Sequence, residues 1–221
     1  MLSFLKKEFD DEGYITKQYL NEIIIVEDFL SEEEIEILLN IIKNSTEDDW
    51  KKSYLENLKN FCIEKFGRDD VENLIKEGKF EVTDNWSDKI LPLHKINNNL
   101  VGVITQRLQD VVDKVNKSFY IPGYGSIQRQ YKDVPLKPHT DQHTDPSIGY
   151  AAIIYINDDY IDGELYFSNK DFSIKPNRKS LVIFPGTEEW NHGVNAPGDG
   201  PFRYVLPGFI RYKDFYENNK Y

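Results

Sequence analysis

The amino-acid sequence predicts an α+β fold that is mainly β, with a β-sandwich in the C-terminal half and N-terminal helices packed on one of its sheets. Before Phe119, apolar residues recur at helical spacing, whereas after it short apolar segments alternate with Gly, Pro and Asp. Closely spaced turn signals of this kind are typical of sandwiches and barrels. The 14 tyrosines and 13 phenylalanines also favour strands with half-buried faces.

The N-terminal half is predicted to begin with a buried strand and a capped helix. Residues 23–29 form an apolar run of strand length. Ser31 and Glu34 then form a capping box, and Leu30 and Ile35 form the hydrophobic staple that accompanies it. The helical stripe that follows predicts a helix with one face in the core.

Further helices are predicted in the rest of the N-terminal half. Residues 50–78 indicate one or two helices interrupted at Gly67, and residues 79–97 include a candidate strand near FEVTDNW. Residues 98–117 carry apolar side chains at steps of three and four, which predicts a long amphipathic helix. We interpret these apolar stripes as faces that pack in the core.

The C-terminal half is predicted to consist of short strands joined by turns. The segments with strand composition are SIQRQY, GYAAIIYI, GELYFS, FSIKP, KSLVIFP and FRYVLPGFIRY. Asp162-Gly163, preceded by further aspartates, indicates a hairpin-like connection into GELYFS.

Composition excludes several classes of protein. The 221 residues suit one large domain with a sizeable core. The net charge of −11, without a cluster of Lys and Arg, argues against a nucleic-acid partner. The single cysteine, Cys62, excludes an internal disulfide and a cysteine-based zinc site. No segment resembles a signal peptide or a membrane span of about 20 apolar residues, so we expect a cytoplasmic protein with no membrane partner.

The chemistry is concentrated in the segment PHTDQHTDPS, which contains the tripeptide His-Thr-Asp twice. His139 with Asp141, or His143 with Asp145, could supply an imidazole and a carboxylate on the same side of a strand. A distant histidine, His192, would complete the two-histidine, one-carboxylate set that holds non-haem Fe(II) and leaves other coordination positions open. A helical pair of His139 and His143 is a third arrangement. The pattern alone is a weak signal.

Residues 123–212 resemble the Fe(II)/2-oxoglutarate dioxygenase superfamily in its prolyl 4-hydroxylase-like branch. The segments that carry this resemblance are, in order, QRQYKDVPLKPHTD, AAIIYINDDYIDGELYF, IKP, SLVIFP, NHGVNAP and FRYVLPGF. Two positions depart from the pattern of the branch: Ile156 stands where Leu is usual, and Asp162-Gly163 stands for Gly-Gly. The leading segment EIIIVEDFLSEEE is also similar to the entry strand and helix of this family. The resemblance implies a double-stranded β-helix (jelly-roll) core.

The resemblance favours the first tripeptide as the metal pair. In the family this pair follows a proline and a strand tyrosine, and His139 follows Pro138 and lies eight residues after Tyr131. The second pair runs into Pro146, which indicates a loop at the mouth of the site. By the same resemblance His192 is the third ligand, and its alternative is an ordinary loop histidine. His94 lies outside the matched region and is interpreted as a structural or surface residue.

The resemblance also implies a cosubstrate site. 2-Oxoglutarate chelates iron through its 1-carboxylate and 2-keto oxygens, and Arg203 is the expected partner of its distal carboxylate. An arginine that faces inward on the apolar strand FRYVL is costly unless it meets an anion; the alternative is an outward, solvated Arg203. Tyr131 and Tyr155 match positions whose hydroxyls help hold the cosubstrate, although both could be ordinary buried strand tyrosines. Trp190 is either a pocket wall or core.

We therefore expect a hydroxylating dioxygenase that uses Fe(II), 2-oxoglutarate and O2, with ascorbate as a candidate reductant and with succinate and CO2 as products. Its substrate would be a peptidyl proline or another protein side chain. The alternatives are a small-molecule hydroxylase of the same superfamily and a non-catalytic cupin-type metal-binding module, although such modules use more histidine ligands. We expect one domain, residues 1–221, with a helical support region (1–120), a catalytic core (121–212) and a tail (213–221).

Overall fold

The computed structural model describes residues 1–52, 67–76, 89–92 and 98–215. Its helices are α1 (Leu2–Asp11), α2 (Glu32–Asn44), α3 (Arg68–Lys76), α4 (Asn98–Val115) and the single turn α5 (Asp141–Thr144). Its strands are β1 (Ile15–Tyr19), β2 (Ile23–Glu27), β3 (Lys51–Lys52), β4 (Lys89–Pro92), β5 (Phe119–Tyr120), β6 (Ser126–Gln130), β7 (Leu136–His139), β8 (Ile148–Tyr155), β9 (Leu165–Phe167), β10 (Phe172–Ile174), β11 (Leu181–Pro185), β12 (His192–Val194), β13 (Arg203–Leu206) and β14 (Phe209–Tyr212). A 3₁₀ turn covers Glu188–Trp190.

Most of the strands form one large antiparallel sheet. Its order is β1-β2-β11-β8-β13-β6-β4-β3, and β14 with β5 extends it beside β8. The long strand β8 lies at the centre, where Ile153 pairs with Val182 of β11 and Tyr155 pairs with Val205 of β13. The central strands β8 and β11 are apolar on both faces, because both faces are covered.

A smaller antiparallel sheet faces the large one. Its order is β10-β9-β12-β7. Within it, His192 at the start of β12 lies opposite His139 at the end of β7 and opposite Phe167 of β9. This register brings two histidines that are far apart in sequence to the same end of the sheet.

Two apolar layers cover the two faces of the large sheet. On one face, Ile154 and Leu206 pack with side chains of α1, α2 and α4, including Leu5 and Leu108. On the other face, Tyr155, Val205 and their neighbours pack against the small sheet. Successive residues of a strand point to opposite faces, so neighbours such as Ile154 and Tyr155 belong to different layers. The site described below lies in the layer between the sheets.

The prediction of a mainly-β fold with N-terminal helices on one sheet is confirmed. The predicted capping box is also present: Ser31 and Glu34 exchange hydrogen bonds between side chain and backbone at the start of α2. Arg107 of α4 donates to both carboxylate oxygens of Glu34, at 3.0 and 2.5 Å, and to the carbonyl oxygen of Phe29. This network fixes the long helix to the entry strand and helix.

Some boundaries differ from the prediction, and some predictions cannot be compared. The helix predicted over 98–117 ends at Val115, where the backbone turns into β5. The N-terminal α1 and β1 were not predicted. The candidate strand near FEVTDNW, the helical pattern around Cys62, and His94 lie outside the described residues. In the described part of the chain, no helix is long and apolar enough to cross a membrane.

Candidate active site

Three potential metal ligands converge between the two sheets. His139, Asp141 and His192 each offer one ligand atom, and these atoms all lie within 4.8 Å of one another. Nε2 of His139 lies 3.8 Å from Oδ1 of Asp141, and Nε2 of His192 lies 3.9 Å from Oδ2 of the same carboxylate. No other group of three such side chains converges in this way within the described ranges. Donor atoms this close can reach one ion with small side-chain adjustments, since ligands lie about 2.0–2.3 Å from a bound metal.

The local backbone differs from the simple strand expected for the His-x-Asp pair. His139 is the last residue of β7, whereas Asp141 begins the turn α5. Thr140 between them is extended, with φ −121° and ψ 135°. An extended residue between them keeps both side chains on the same side, so the pair converges although the strand has ended. The arrangement in which His139 and His143 bind a metal from one face of a helix is excluded, because α5 begins only after His139.

A glycine allows the carboxylate to sit close to the neighbouring strand. A Cβ atom at Gly186 would lie 3.3 Å from Cβ of Asp141 and 3.1 Å from Cγ2 of Ile148. Gly186 also accepts a hydrogen bond from the backbone N–H of Gln142. Gly186, which follows the apolar strand β11, therefore holds the turn that carries Asp141 against the large sheet.

Both histidines are oriented by the backbone in the same way. Nδ1 of His139 lies 3.0 Å from the carbonyl oxygen of Lys137, and Nδ1 of His192 lies 3.1 Å from that of Trp190. A carbonyl oxygen can only accept, so each Nδ1 carries the proton and donates. Each Nε2 then presents a lone pair towards Asp141, which is the tautomer that a metal-binding histidine requires.

In the metal-free protein, burial favours the neutral forms of His139, Asp141 and His192. Burial raises the pKa of Asp141 to about 7. Burial, and then the neighbouring His139, lower the pKa of His192 to about 3, and burial also lowers the pKa of His139. Oδ2 of Asp141 has no hydrogen-bond partner among the described residues. A buried carboxyl oxygen without a partner, facing two neutral imidazoles, fits a bound divalent cation.

The buried carboxyl group should cost the metal-free protein stability at neutral pH. The folded-state pKa of Asp141, about 7, exceeds the ~3.9 of an unfolded aspartate, so between these values the folded chain binds a proton that the unfolded chain has released. Stability therefore falls as pH rises from about 4 to about 7 and stays lowered above that range. We expect Asp141→Asn to raise the Tm of the metal-free protein by several degrees at about pH 8, since the maximum penalty is about 4 kcal/mol.

This experiment requires the two proteins to be compared with each other at each pH. The lowered pKa of His192 gives the opposite trend, with stability rising from about pH 3 to 6.5, and it acts on both proteins. The gain from Asp141→Asn should shrink at about pH 4.5, where the carboxyl group is protonated in the folded chain. Added Mn²⁺ should reverse the order, because only the aspartate can bind the metal as an anion. An equal gain at both pH values would contradict ionisation of Asp141 as the cause.

Arg203 lies in the same inter-sheet layer, with its side chain buried. It shares a face of β13 with Val205, which packs between the sheets, and only 5% of it is exposed. Nη2 donates to the hydroxyl of Tyr155 at 3.0 Å, and Nη1 makes a long contact of 3.5 Å with Oε1 of Gln130. Both of these acceptors are neutral, and a buried guanidinium group suits an anionic ligand.

Tyr131 has a different environment from that of Tyr155. Its hydroxyl lies 2.6 Å from Nη2 of Arg129, which also donates to the carboxylate of Glu47. Arg129 faces the helical layer and stacks on Trp50, with 4.3 Å between Cζ and the ring centroid. Tyr131 therefore lies at the edge between the two layers, whereas Tyr155 contacts Arg203 directly.

The second His-Thr-Asp tripeptide makes contacts of its own outside the cluster of potential ligands. The His143 side chain is exposed, and its Nε2 lies 2.9 Å from a carboxylate oxygen of the equally exposed Glu188. Asp145 accepts hydrogen bonds from Ser147 and forms an ion pair with Arg211. Trp190 is buried and packs edge-on against Phe167 in the inter-sheet core.

Two neighbours of Arg203 were not recognised in the sequence. Gln130 lies opposite Arg203 in the β6–β13 register, which fixes its side chain on the same face. Once β13 is known to pair with β6, the alternation of side chains along SIQRQY places Gln130 on the same face as Arg203. Tyr160, in the loop after β8, is fully buried with its ring centroid 6.0 Å from Cζ of Arg203. No periodicity marks a loop residue, so the sequence carried no signal for Tyr160.

Comparison with known proteins gives a family and a fold. Residues 127–211 match the family model of the 2OG-Fe(II) oxygenase superfamily. No curated protein matches the sequence significantly. The matched range contains the three potential metal ligands and Arg203.

Several solved structures share the fold at low sequence identity. A prolyl hydroxylase from Trichoplax adhaerens, in complex with a hypoxia inducible factor oxygen degradation domain peptide fragment, is 12% identical with a TM-score of 0.63, covering 100% of this chain and 96% of that one. The viral collagen prolyl hydroxylase of Paramecium Bursaria Chlorella virus-1, in its 2OG complex, is 13% identical with a TM-score of 0.56 over 86% and 96% of the two chains. A Pseudomonas putida prolyl-4-hydroxylase is 16% identical with a TM-score of 0.53 over 94% and 98%.

The family match and the fold therefore agree with the convergence of two histidines and one aspartate between two antiparallel sheets. On these observations residues 127–211 are similar to the 2OG-Fe(II) oxygenase superfamily, and the fold of the chain is similar to that of prolyl hydroxylases.

Proposed function

We propose that the chain is an Fe(II)- and 2-oxoglutarate-dependent dioxygenase that hydroxylates a C–H bond of a peptidyl proline or another protein side chain and releases succinate and CO2. The observation that carries this proposal is the convergence of His139, Asp141 and His192 in the same buried layer as Arg203. The first three supply the donor set of a non-haem iron site, and the fourth supplies a charge for an anionic cosubstrate. We also propose that residues 1–221 act as one domain with a jelly-roll core.

In the proposed metal site, the two imidazoles bind through Nε2 while Lys137 and Trp190 hold their Nδ1 protons. Asp141 supplies the one anionic ligand, and its carboxylate replaces a buried neutral acid once the cation is bound. Bound Fe(II) supplies the oxygen-activating chemistry, coupled to decarboxylation of 2-oxoglutarate. The three protein ligands would leave other coordination positions open for the cosubstrate and oxygen.

In the proposed cosubstrate site, Arg203 pairs with the distal carboxylate of 2-oxoglutarate. Tyr155 accepts a hydrogen bond from Arg203 and so fixes the guanidinium group in the layer between the sheets. Tyr131 remains a predicted cosubstrate contact, although its hydroxyl is bonded to Arg129. The apolar surroundings of Tyr155 and Val205 exclude water, which strengthens the pairing of the two opposite charges.

The peptide substrate is proposed from two lines of support. The chain shares its fold with prolyl hydroxylases, one of which is described in complex with a peptide fragment. The strand β1 is an outermost strand of the large sheet, and the edge of a sheet would offer an extended peptide the backbone hydrogen bonds that strands use. A small-molecule substrate remains the alternative within the superfamily, and the assay below includes it.

Anaerobic titration tests the central proposal. Protein with Fe(II) should develop a weak visible charge-transfer band when 2-oxoglutarate is added, because the 2-oxo acid chelates the metal. Succinate, which lacks the 2-keto oxygen, is the matched control and should give no band. If the protein binds Fe(II) and saturating 2-oxoglutarate gives no band, the cosubstrate assignment is wrong and a cupin-type metal-binding module becomes the better explanation.

Admission of oxygen then tests the reaction. Succinate formation should increase when a suitable substrate is present, and hydroxylation should add one oxygen atom to its mass. Pools of proline-containing peptides, matched pools with proline replaced by alanine, and a small-molecule panel distinguish the substrate classes. Stimulation by proline-containing pools alone supports prolyl hydroxylation, whereas stimulation by small molecules alone contradicts the peptide proposal.

A further inference from the structure

Tyr160 is a buried tyrosine whose hydroxyl lies beside the guanidinium group of Arg203 but has no acceptor for its own proton among the described residues. Its side chain is 1% exposed, and its hydroxyl oxygen is among the buried polar atoms without a hydrogen-bond partner. Buried hydroxyl groups are normally hydrogen-bonded, because desolvation without a partner costs free energy. A ligand that is bound during function is one physical reason for such an exception.

The position of Tyr160 points to the ligand at Arg203. The guanidinium Cζ lies 5.0 Å from the ring centroid of Tyr155 and 6.0 Å from that of Tyr160, so two tyrosines flank one buried cation. Burial raises the pKa of Tyr160 above its usual value, and Tyr155 raises it further, whereas the charge of Arg203 and a weak hydrogen bond from its guanidinium group lower it. In that contact the hydroxyl oxygen accepts, so its proton remains available to donate. Tyr160 is thus a second hydroxyl beside the proposed anion site.

The ring of Tyr160 is held by contacts that do not involve its hydroxyl. Gly163 has φ +70°, and a Cβ atom there would lie 3.1 Å from Cδ2 of Tyr160 and 3.5 Å from Cδ of Arg203. Lys175 also lies against the ring, with Nζ 4.6 Å from the ring centroid, and it donates a hydrogen bond to the carbonyl oxygen of Tyr160. Because ring and backbone are fixed independently, the hydroxyl is left to bind a ligand.

We propose that the hydroxyl of Tyr160 donates a hydrogen bond to the distal carboxylate of the 2-oxo acid bound at Arg203, and that it thereby helps select 2-oxo acids that carry this second carboxylate. This inference rests on the proposed function. A carboxylate has about four lone-pair sites and can accept from Arg203 and from a further donor at the same time. Without a ligand the buried hydroxyl group lacks an acceptor for its proton, which costs the protein stability, and the bound cosubstrate would supply that acceptor.

The test measures binding of two 2-oxo acids to Mn²⁺-loaded protein by calorimetry. 2-Oxoglutarate has the distal carboxylate, and pyruvate does not. Tyr160→Phe should weaken 2-oxoglutarate binding about tenfold to hundredfold, the range for one hydrogen bond to a charged group, and should leave pyruvate binding unchanged. The Tm of the metal-free variant should be equal to or higher than that of the parent, because an unpaired buried hydroxyl is removed.

Tyr124→Phe is the matched control. The Tyr124 hydroxyl is also buried without a partner among the described residues, but Tyr124 packs in the helical layer beneath Gly208. This variant should leave the affinities for both 2-oxo acids unchanged. If the parent protein does not prefer 2-oxoglutarate to pyruvate, the proposed function itself fails. The inference is overturned if the parent prefers 2-oxoglutarate to pyruvate and Tyr160→Phe retains that preference. It is also overturned if Tyr160→Phe lowers the Tm and weakens the binding of both 2-oxo acids equally.

Discussion

Replacement of His139 by alanine is expected to abolish metal binding and turnover, whereas the same replacement of His143 should leave both unchanged. The two histidines lie four residues apart in a repeated tripeptide, so they are a matched pair of variants. They differ in their positions. His139 has its Nε2 3.8 Å from Asp141, whereas His143 lies on the exposed side of α5 beside Glu188.

The size of the expected effect follows from the number of ligands. With three protein ligands, loss of one removes a third of the donor set and leaves Asp141 and His192 to hold the ion alone. Loss of a group that merely supports a ligand typically costs about 10–100-fold in metal affinity, so loss of a ligand should cost more than this. Replacement of His143 removes an exposed contact with a carboxylate, worth roughly 0–1 kcal/mol of stability, and removes nothing from the site.

Binding of Mn²⁺, followed by electron paramagnetic resonance, measures this difference without oxygen chemistry. His192→Ala should behave as His139→Ala does, since both imidazoles face the same carboxylate. Thermal unfolding without metal checks that each variant folds. If His143→Ala loses the metal while His139→Ala keeps it, then the second tripeptide is the metal pair and the packing between β7 and β12 does not form the site.

The two tripeptides illustrate what the sequence could predict about the candidate site. Sequence alone offered two tripeptides and a helical alternative, and the resemblance to a family favoured the first. The register of β12 against β7 gives the physical reason, because it brings His192 opposite His139 and leaves His143 beyond the strand end. Such a register joins residues 53 positions apart and cannot be obtained from local periodicity.

The fold shows the same division between local and long-range signals. The capping box at Ser31 and the helix beginning at Asn98 depend on neighbouring residues, and the sequence predicted both. The partners of Arg203 depend on how β13 lies between β6 and β8, which is a long-range property. Gln130 and Tyr160 were missed for that reason. Alternation in FRYVL still predicted that Arg203 and Val205 share a face, because alternation is local.

Replacement of Arg203 by glutamine is expected to remove the preference for 2-oxoglutarate while sparing metal binding. The guanidinium is buried in the inter-sheet layer, where opposite charges interact more strongly than in water. Removal of one partner from a buried charge pair typically costs about 3–5 kcal/mol, which corresponds to about 10²–10⁴-fold in affinity. Pyruvate binding should change little, because pyruvate has no distal carboxylate to pair.

Arg129→Gln is the matched control for this variant. Arg129 is as buried as Arg203, at 4% against 5%, and it lies on the neighbouring strand β6. Its side chain faces the helical layer, where it pairs with Glu47 and stacks on Trp50. Loss of this guanidinium should lower the Tm through lost packing but should retain the ratio of the two ligand affinities.

The ratio of 2-oxoglutarate to pyruvate affinity separates a charge effect from a general loss of structure. A distorted fold weakens both ligands together, whereas loss of the carboxylate partner weakens only the one with two carboxylates. For Arg203→Gln the ratio should approach one, and for Arg129→Gln it should equal that of the parent. If the ratio collapsed in Arg129→Gln and persisted in Arg203→Gln, the anion site would have to be moved to the edge of the large sheet where the buried Arg129 contacts the half-buried Tyr131.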